Sequence, residues 1–225
     1  MVGAGHVDIR DVVDDALGRA GGRMRAVVVG GSAGGMEALI AILSPLPAGY
    51  PLPVVVAHHL HRTDEGRFAE HLGRKISMRV AEAGDKMRAE PGRVHVAPAN
   101  YHLLVERDGS LSLTVDPRVS FARPSIDVLF ESAARAWGEG LAGVILSGAN
   151  DDGAEGMRAI REHGGLCIAQ DPETAQSRPM PTAAIEAASI EIVLTPERIA
   201  ELLGAMAGLD EAPDGDGAAA EEEGR

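Results

Sequence analysis

MRAVVVGGSAGG, residues 24–35, carries a short run of valines into a glycine-rich turn, and MEALIAIL (36–43) follows with apolar residues at helical spacing. A valine run bounded by glycines reads as a buried strand, so this stretch is a strand–turn–helix unit. The unit recurs along the chain. PLPVVVAHH (51–59) is a second aliphatic strand, followed by the helix-compatible DEGRFAEHLGRK (64–75). LAGVILSG (141–148) is a third, and DGAEGMRAIREHG (152–164) is its helix, ending at Gly164-Gly165. LCIAQ (166–170) and IEIVL (190–194) are further strands, with helices at TAAIEAA (182–188) and PERIAELLGAMAG (196–208). Strands alternating with helices predict an α/β fold with a doubly wound, mainly parallel sheet flanked by helices.

Two regions depart from that rhythm. Residues 79–115 carry short alternating runs, RVHVAP, YHLLVE and LSLTV, with the turn RDGS at 107–110. They predict a β-rich insertion containing at least one hairpin. PSIDVLFESAARAW (124–137) predicts a helix with Pro124 near its start, where its fixed φ is tolerated. At the front, VDIRDVVDDALGRA (7–20) has the spacing of a short amphipathic helix, so residues 1–24 read as a helix or linker without chemistry. From residue 209 on, the chain turns acidic and poor in apolar residues, and 209–225 are expected to be a disordered tail.

Composition narrows the function. The 225 residues are enough for one α/β domain with a full core. Aromatics are only 3%, so that core must be aliphatic, as suits a parallel sheet. The net charge is −13, which argues against nucleic acid as a partner, because phosphate binding needs clustered Lys and Arg. One cysteine, Cys167, cannot form an internal disulfide and reads as a small buried hydrophobe. No apolar stretch approaches the ~20 residues of a membrane span, so an integral membrane protein is not expected. No signal peptide is visible, which makes the cytoplasm the expected compartment.

Ligands of such sheets bind beyond the carboxyl ends of the strands, and three strand ends carry unusual residues. The first is Gly30-Gly31-Ser32-Ala33-Gly34, a G-x-S-x-G turn that thrusts a serine into the open before a helix N-terminus. A glycine-rich nucleotide loop is the rival, but the dinucleotide fingerprint needs glycine at 32 and an acid at the end of the second strand. The second is His58-His59, with His61 nearby. Serine needs a base, and histidine, with its ordinary pKa of ~6.5, is the usual one. Side-chain alternation means that only one of His58 and His59 faces the serine. His59, His61 and Asp64 also approach a zinc-hydrolase pattern with the wrong spacing. The third is Asp151-Asp152, before the glycine that opens a helix. A carboxylate there either orients a histidine or caps the helix, and the pattern alone leaves the two aspartates undecided.

Taken together, these blocks resemble the CheB family of chemoreceptor methylesterases. The family's G-x-S-[TA]-G-G turn resembles Gly30–Gly35, which implies Ser32 as the nucleophile. Its Q-H-M strand end resembles His58-His59-Leu60, which implies His59 as the base. Its T-G-M-G-x-D-G-A motif resembles Ser147–Ala154, which implies Asp152 as the orienting acid. APANYH (97–102), RPSIDVLFESAA (123–134) and QDPETAQSRPMPTAA (170–184) are similar to further family blocks, so the resemblance covers residues 25–203 and implies a catalytic domain over 25–208. It implies backbone N–H groups at Ala33 and Ala149 as oxyanion donors, with no cofactor and no metal. Ala33 stands where the family often has Thr, Ala149 where Met is usual, and Asn150 where it has Gly. The implied reaction is hydrolysis of glutamate methyl esters on the cytoplasmic domain of a chemoreceptor, with glutamine deamidation as a second activity. No receiver domain fits within residues 1–24, so the expectation is an ungated enzyme, one gated by a separate regulatory partner, or a fragment of a longer chain. The rival readings are a catalytically weak binding module and a metallohydrolase.

Overall fold

A computed structural model describes residues 8–209. Its centre is a seven-stranded sheet in the order β3-β4-β2-β1-β7-β8-β9, parallel throughout. The strands are β1 (Ala26–Gly31), β2 (Val54–His58), β3 (Arg79–Glu82), β4 (Arg93–Val96), β7 (Leu141–Ile145), β8 (Leu166–Gln170) and β9 (Ile192–Leu194). A separate antiparallel hairpin pairs β5 (His102–Val105) with β6 (Leu111–Thr114). The helices are α1 (Ile9–Arg19), α2 (Gly35–Leu43), α3 (Arg67–Gly73), α4 (Ile126–Trp137), α5 (Ala154–Glu162), α6 (Pro179–Ala188) and α7 (Pro196–Met206).

Both faces of the sheet are covered, so its central strands are aliphatic on both sides. Val27, Val29, Val54, Val56 and Val144 pack toward α1, α2, α3 and α7. Val28, Val55, Ala57, Ile145 and Ala169 pack toward α4, α5, α6 and the hairpin. The alternation in β2 has a consequence for its end: position 58 continues the first face and position 59 the second.

The expected insertion over 79–115 is narrower than the sequence suggests. β3 and β4 join one side of the main sheet as parallel strands, β3 at its edge, and only β5 and β6 stand apart. Four-residue runs flanked by charges look alike whether they end a sheet or form a hairpin. The turn at RDGS is where it was expected, with Gly109 at φ 82° and Glu106 N–H donating to the Ser110 carbonyl at 2.8 Å. Pro124 lies just outside its helix, since α4 starts at Ile126 after Ser125. Cys167 is buried, and burial pushes its thiol up to about 11. The N-terminal helix buries Val13 and Ala16 in the first core. Apart from Leu209, the expected acidic tail lies outside the described residues. No helix of the described residues is long and apolar enough to cross a membrane.

Candidate active site

Strand order reverses at β1: β2 lies on one side and β7 on the other. The loops leaving these three strands meet at the carboxyl edge, the place where open α/β sheets bind ligands. Ser32 follows β1, His59 follows β2, and Asp151-Asp152 lies in the loop after β7.

The Ser32 turn is pinned on both flanks. Ser32 N–H donates to the Ser147 carbonyl at 2.9 Å, and His59 N–H donates to the Gly31 carbonyl at 3.2 Å. Ser32 and His59 are therefore neighbours one step beyond the paired Gly31 and His58. Ser147 Oγ donates to the Ala33 carbonyl at 2.6 Å and accepts from Ser177 N–H at 2.9 Å, which ties the turn to the loop after β7. Glycine is required at two points here. A Cβ at Gly30 would overlap Ile126 Cγ2, and Gly34, at φ 76°, would bring one within 2.8 Å of Ser147 Oγ.

The two histidines part as alternation requires. His58 turns to the α3 side, its ring 4.5 Å from that of Phe68. Its Nδ1 lies 3.0 Å from the His59 carbonyl, which can only accept, so Nδ1 carries the proton and the buried Nε2 has no partner. Burial lowers its pKa to about 4, so His58 is neutral at neutral pH. His59 turns to the other face, where its Nε2 lies 2.7 Å from Asp152 Oδ2.

Asp152 is fully buried, whereas Asp151 is exposed, and it is Asp152 that meets His59. Its carboxylate sits at the N-terminus of α4. Oδ1 accepts from Ser125 Oγ at 2.8 Å and Asp127 N–H at 3.1 Å, and Oδ2 accepts from Ile126 N–H at 2.9 Å as well as His59. Burial opposes ionisation, but the His59 bond and the α4 donors outweigh it and hold the carboxyl below the usual range. Asp127 returns the exchange. Its Oδ1 accepts from Gly153 and Gly156 N–H, both at 2.8 Å, at the start of α5. Burial pushes Asp127 up to about 7, against those two amides and with help from the adjacent Asp152 charge.

A third histidine anchors this assembly. His102 on β5 accepts from Ser125 N–H at its Nδ1, 3.2 Å away, and donates from Nε2 to the Pro117 carbonyl at 3.1 Å. The hairpin thus reaches His59 through Ser125 and Asp152. Sequence reasoning assigned no role to Ser125, Asp127 or His102. Ser125 stands where an N-cap belongs, yet its hydroxyl makes no cap bond and serves Asp152 instead.

The remaining expected residues fall as follows. Ala33, next to Ser32 in the chain, and Ala149, in the loop after β7, are both exposed, and among the described residues their amide N–H groups donate to no acceptor. Ser32 Oγ makes no hydrogen bond among the described residues, so the His59–Asp152 link is formed and the serine–imidazole link is not. Asn150 lines a cavity of about 220 Å³ with His59, and its Oδ1 is unpartnered. His61 and Asp64 do not converge with His59: His61 Nδ1 faces Thr63 Oγ1 at 2.9 Å, and Asp64 Oδ2 accepts from Phe68 N–H at 3.2 Å. Among the described residues, no three His, Cys, Asp or Glu gather as metal ligands.

What this edge can do follows from its donors and acceptors. An ionised carboxylate orients one ring nitrogen of His59 and leaves the other free as a base beside a serine, with unoccupied amides nearby. Comparison with known proteins places the fold and the family. A crystal structure of the Thermotoga maritima CheB methylesterase catalytic domain superposes with a TM-score of 0.77 at 31% identity, over 81% of this chain and 98% of that one. A Leptospira interrogans relative, whose name provisionally carries protein-glutamate methylesterase and protein-glutamine glutaminase activities, is 46% identical over 79% of this chain and 92% of its own length. The protein-glutamate methylesterase/protein-glutamine glutaminase 1 of Anaeromyxobacter dehalogenans is 43% identical, and this chain spans about half of it (51%). The family model for CheB methylesterase matches residues 27–203, and the chain belongs to that family.

Proposed function

We propose that this protein hydrolyses glutamate methyl esters on the cytoplasmic domain of a chemoreceptor, releasing methanol, and that it deamidates glutamine at the same site. Ser32 is the nucleophile, His59 the base and Asp152 the orienting acid. Because Asp152 accepts the proton-bearing Nε2 of His59, the basic nitrogen is Nδ1. Nδ1 takes the Ser32 Oγ proton as the oxygen attacks the ester carbonyl, and the tetrahedral oxyanion is met by the N–H groups of Ala33 and Ala149. The C–O bond to methoxide breaks as His59 returns the proton, so methanol leaves an acyl-serine. Water, deprotonated by His59, attacks that acyl group, and proton return to Oγ frees the glutamate. Asp152 stays ionised throughout and stabilises the imidazolium.

The observation that carries this reading is the 2.7 Å His59–Asp152 bond, made to a buried carboxylate that α4 already holds with three further donors. A carboxylate that merely capped a helix would have no imidazole on it. Receptor membranes labelled in the methyl group provide the test: wild type should release labelled methanol and Ser32→Ala should not. Release by the alanine variant at the wild-type rate would overturn the mechanism. A cytoplasmic location belongs to the same proposal.

A further inference from the structure

The cavity beside His59 has a cationic and aromatic rim that the chemistry above does not use. Its lining includes Arg62, Arg118, Phe121 and Asn150. Phe121, at the tip of the loop between β6 and α4, is 95% exposed, with Val115 and Val119 also exposed along that loop. Large exposed aromatics beside arginines are the composition of binding hot spots. Three arginines gather at this one mouth, because Arg123 lines the cavity as well, and its Nη1 donates only to the carbonyls of Val115 and Asp116. Among the described residues, neither Arg62 nor Arg118 meets a carboxylate; Arg118 Nη1 donates only to the Phe121 carbonyl, at 3.2 Å. In a chain of net charge −13, three cations clustered at the mouth of the site without a carboxylate among the described residues mark an anionic partner.

We propose that Arg62, Arg118 and Phe121 form a docking rim for an acidic polypeptide segment next to the reacting side chain, so that esters flanked by carboxylates are selected. This rests on the esterase reading and names the substrate class of that same site. A polypeptide fits better than an anionic bilayer, because the recognition surface is a cavity of about 220 Å³ opening at His59, which admits a side chain rather than a flat lipid face.

The test uses two helical peptides, each with one glutamate methyl ester, flanked in one by glutamates and in the other by serines. Wild type should favour the acidic peptide in kcat/KM by about fivefold at low salt, which is roughly 1 kcal/mol, the scale of exposed charge pairs. Arg62→Glu, whose side chain has no structural bond to lose, should erase or reverse that ratio. About 0.5 M salt should also erase it in the wild type, since screening then acts within a few ångströms. Binding of labelled peptides to Ser32→Ala reads the rim independently of turnover. If wild type cleaves neither peptide while Ser32→Ala still prefers the acidic one, the esterase reading fails and the rim stands. Equal binding of both peptides, or an unchanged ratio in Arg62→Glu, would overturn the rim. Tighter binding to phosphatidylserine vesicles than to the acidic peptide would overturn it too, assigning the rim to a membrane.

Discussion

Both oxygens of Asp152 are fully engaged by donors, from Ser125 Oγ, the Ile126 and Asp127 amides and the His59 ring. An asparagine at 152 keeps the shape but turns an NH2 toward two of those donors. It also favours the wrong His59 tautomer. Asp152→Asn should therefore lower kcat about 10³–10⁴-fold with the fold retained, checked by methanol release alongside circular dichroism. Ser125→Ala is milder, leaving three donors on the carboxylate. It should cost about 1–3 kcal/mol of stability and about tenfold in kcat, read from urea unfolding and steady-state rates; an unchanged kcat would separate Ser125 from the proton chain. Much of this site is legible residue by residue. Ser32 stands in a recognisable turn, and alternation along VVVAHH separates His58 from His59. Ser125, Asp127 and His102 are not legible, because a serine before a helix, an aspartate in a first turn and a histidine in a strand each have an ordinary local explanation. Only long-range packing gives them their partners.

Two elements, α4 and α5, begin within reach of each other and exchange carboxylates across the gap. Asp152, just before α5, is held by the α4 amides, and Asp127, in the first turn of α4, accepts from two α5 amides. Each anion sits at the positive end of the other helix. Burial nevertheless leaves Asp127 with a pKa near 7 beside an ionised neighbour. The native state then binds a proton that the unfolded chain, with an ordinary aspartate at ~3.9, has already lost. This contribution to stability is complete below about pH 4 and is lost as pH rises through about 7. Asp152 works in the opposite sense: its depressed pKa stabilises the fold above the ordinary aspartate value and loses that effect only in acid. Asp127→Asn keeps an acceptor for the α5 amides and removes the titration. Between pH 5 and 8, wild type should lose about 1–3 kcal/mol relative to Asp127→Asn, measured as the difference in urea midpoints; parallel pH curves would show that Asp127 does not titrate there.

At the scale of the molecule, the alternation of strands and helices made the doubly wound sheet readable, because central strands covered on both faces must be aliphatic throughout. The edge was less readable, since β3 and β4 are short and charged like the hairpin beside them. The least readable part was α1, which has amphipathic spacing but no chemistry and could equally be a tether. The structure gives it a packing role. Val13 and Ala16 enter the core shared with α2 and α7, and Arg19 Nη1 donates to the Gly164 carbonyl at 2.8 Å, beyond the end of α5. A tether would tolerate truncation of Val13, whereas a brace would not. Val13→Ala removes two buried methyl groups and should cost about 1–2.5 kcal/mol, between the Ile→Val and Leu→Ala ranges. The candidate site draws its residues from the loops after β1, β2 and β7 and from the start of α4, whereas α1 packs chiefly on α7 and on the turn 138–140. The loss should therefore appear in the urea midpoint while kcat at 25 °C holds near the wild-type value. An unchanged midpoint would return α1 to the status of a tether. A fall in kcat with the midpoint unchanged would instead mean that α1 acts on the site, a coupling for which the packing described here provides no route.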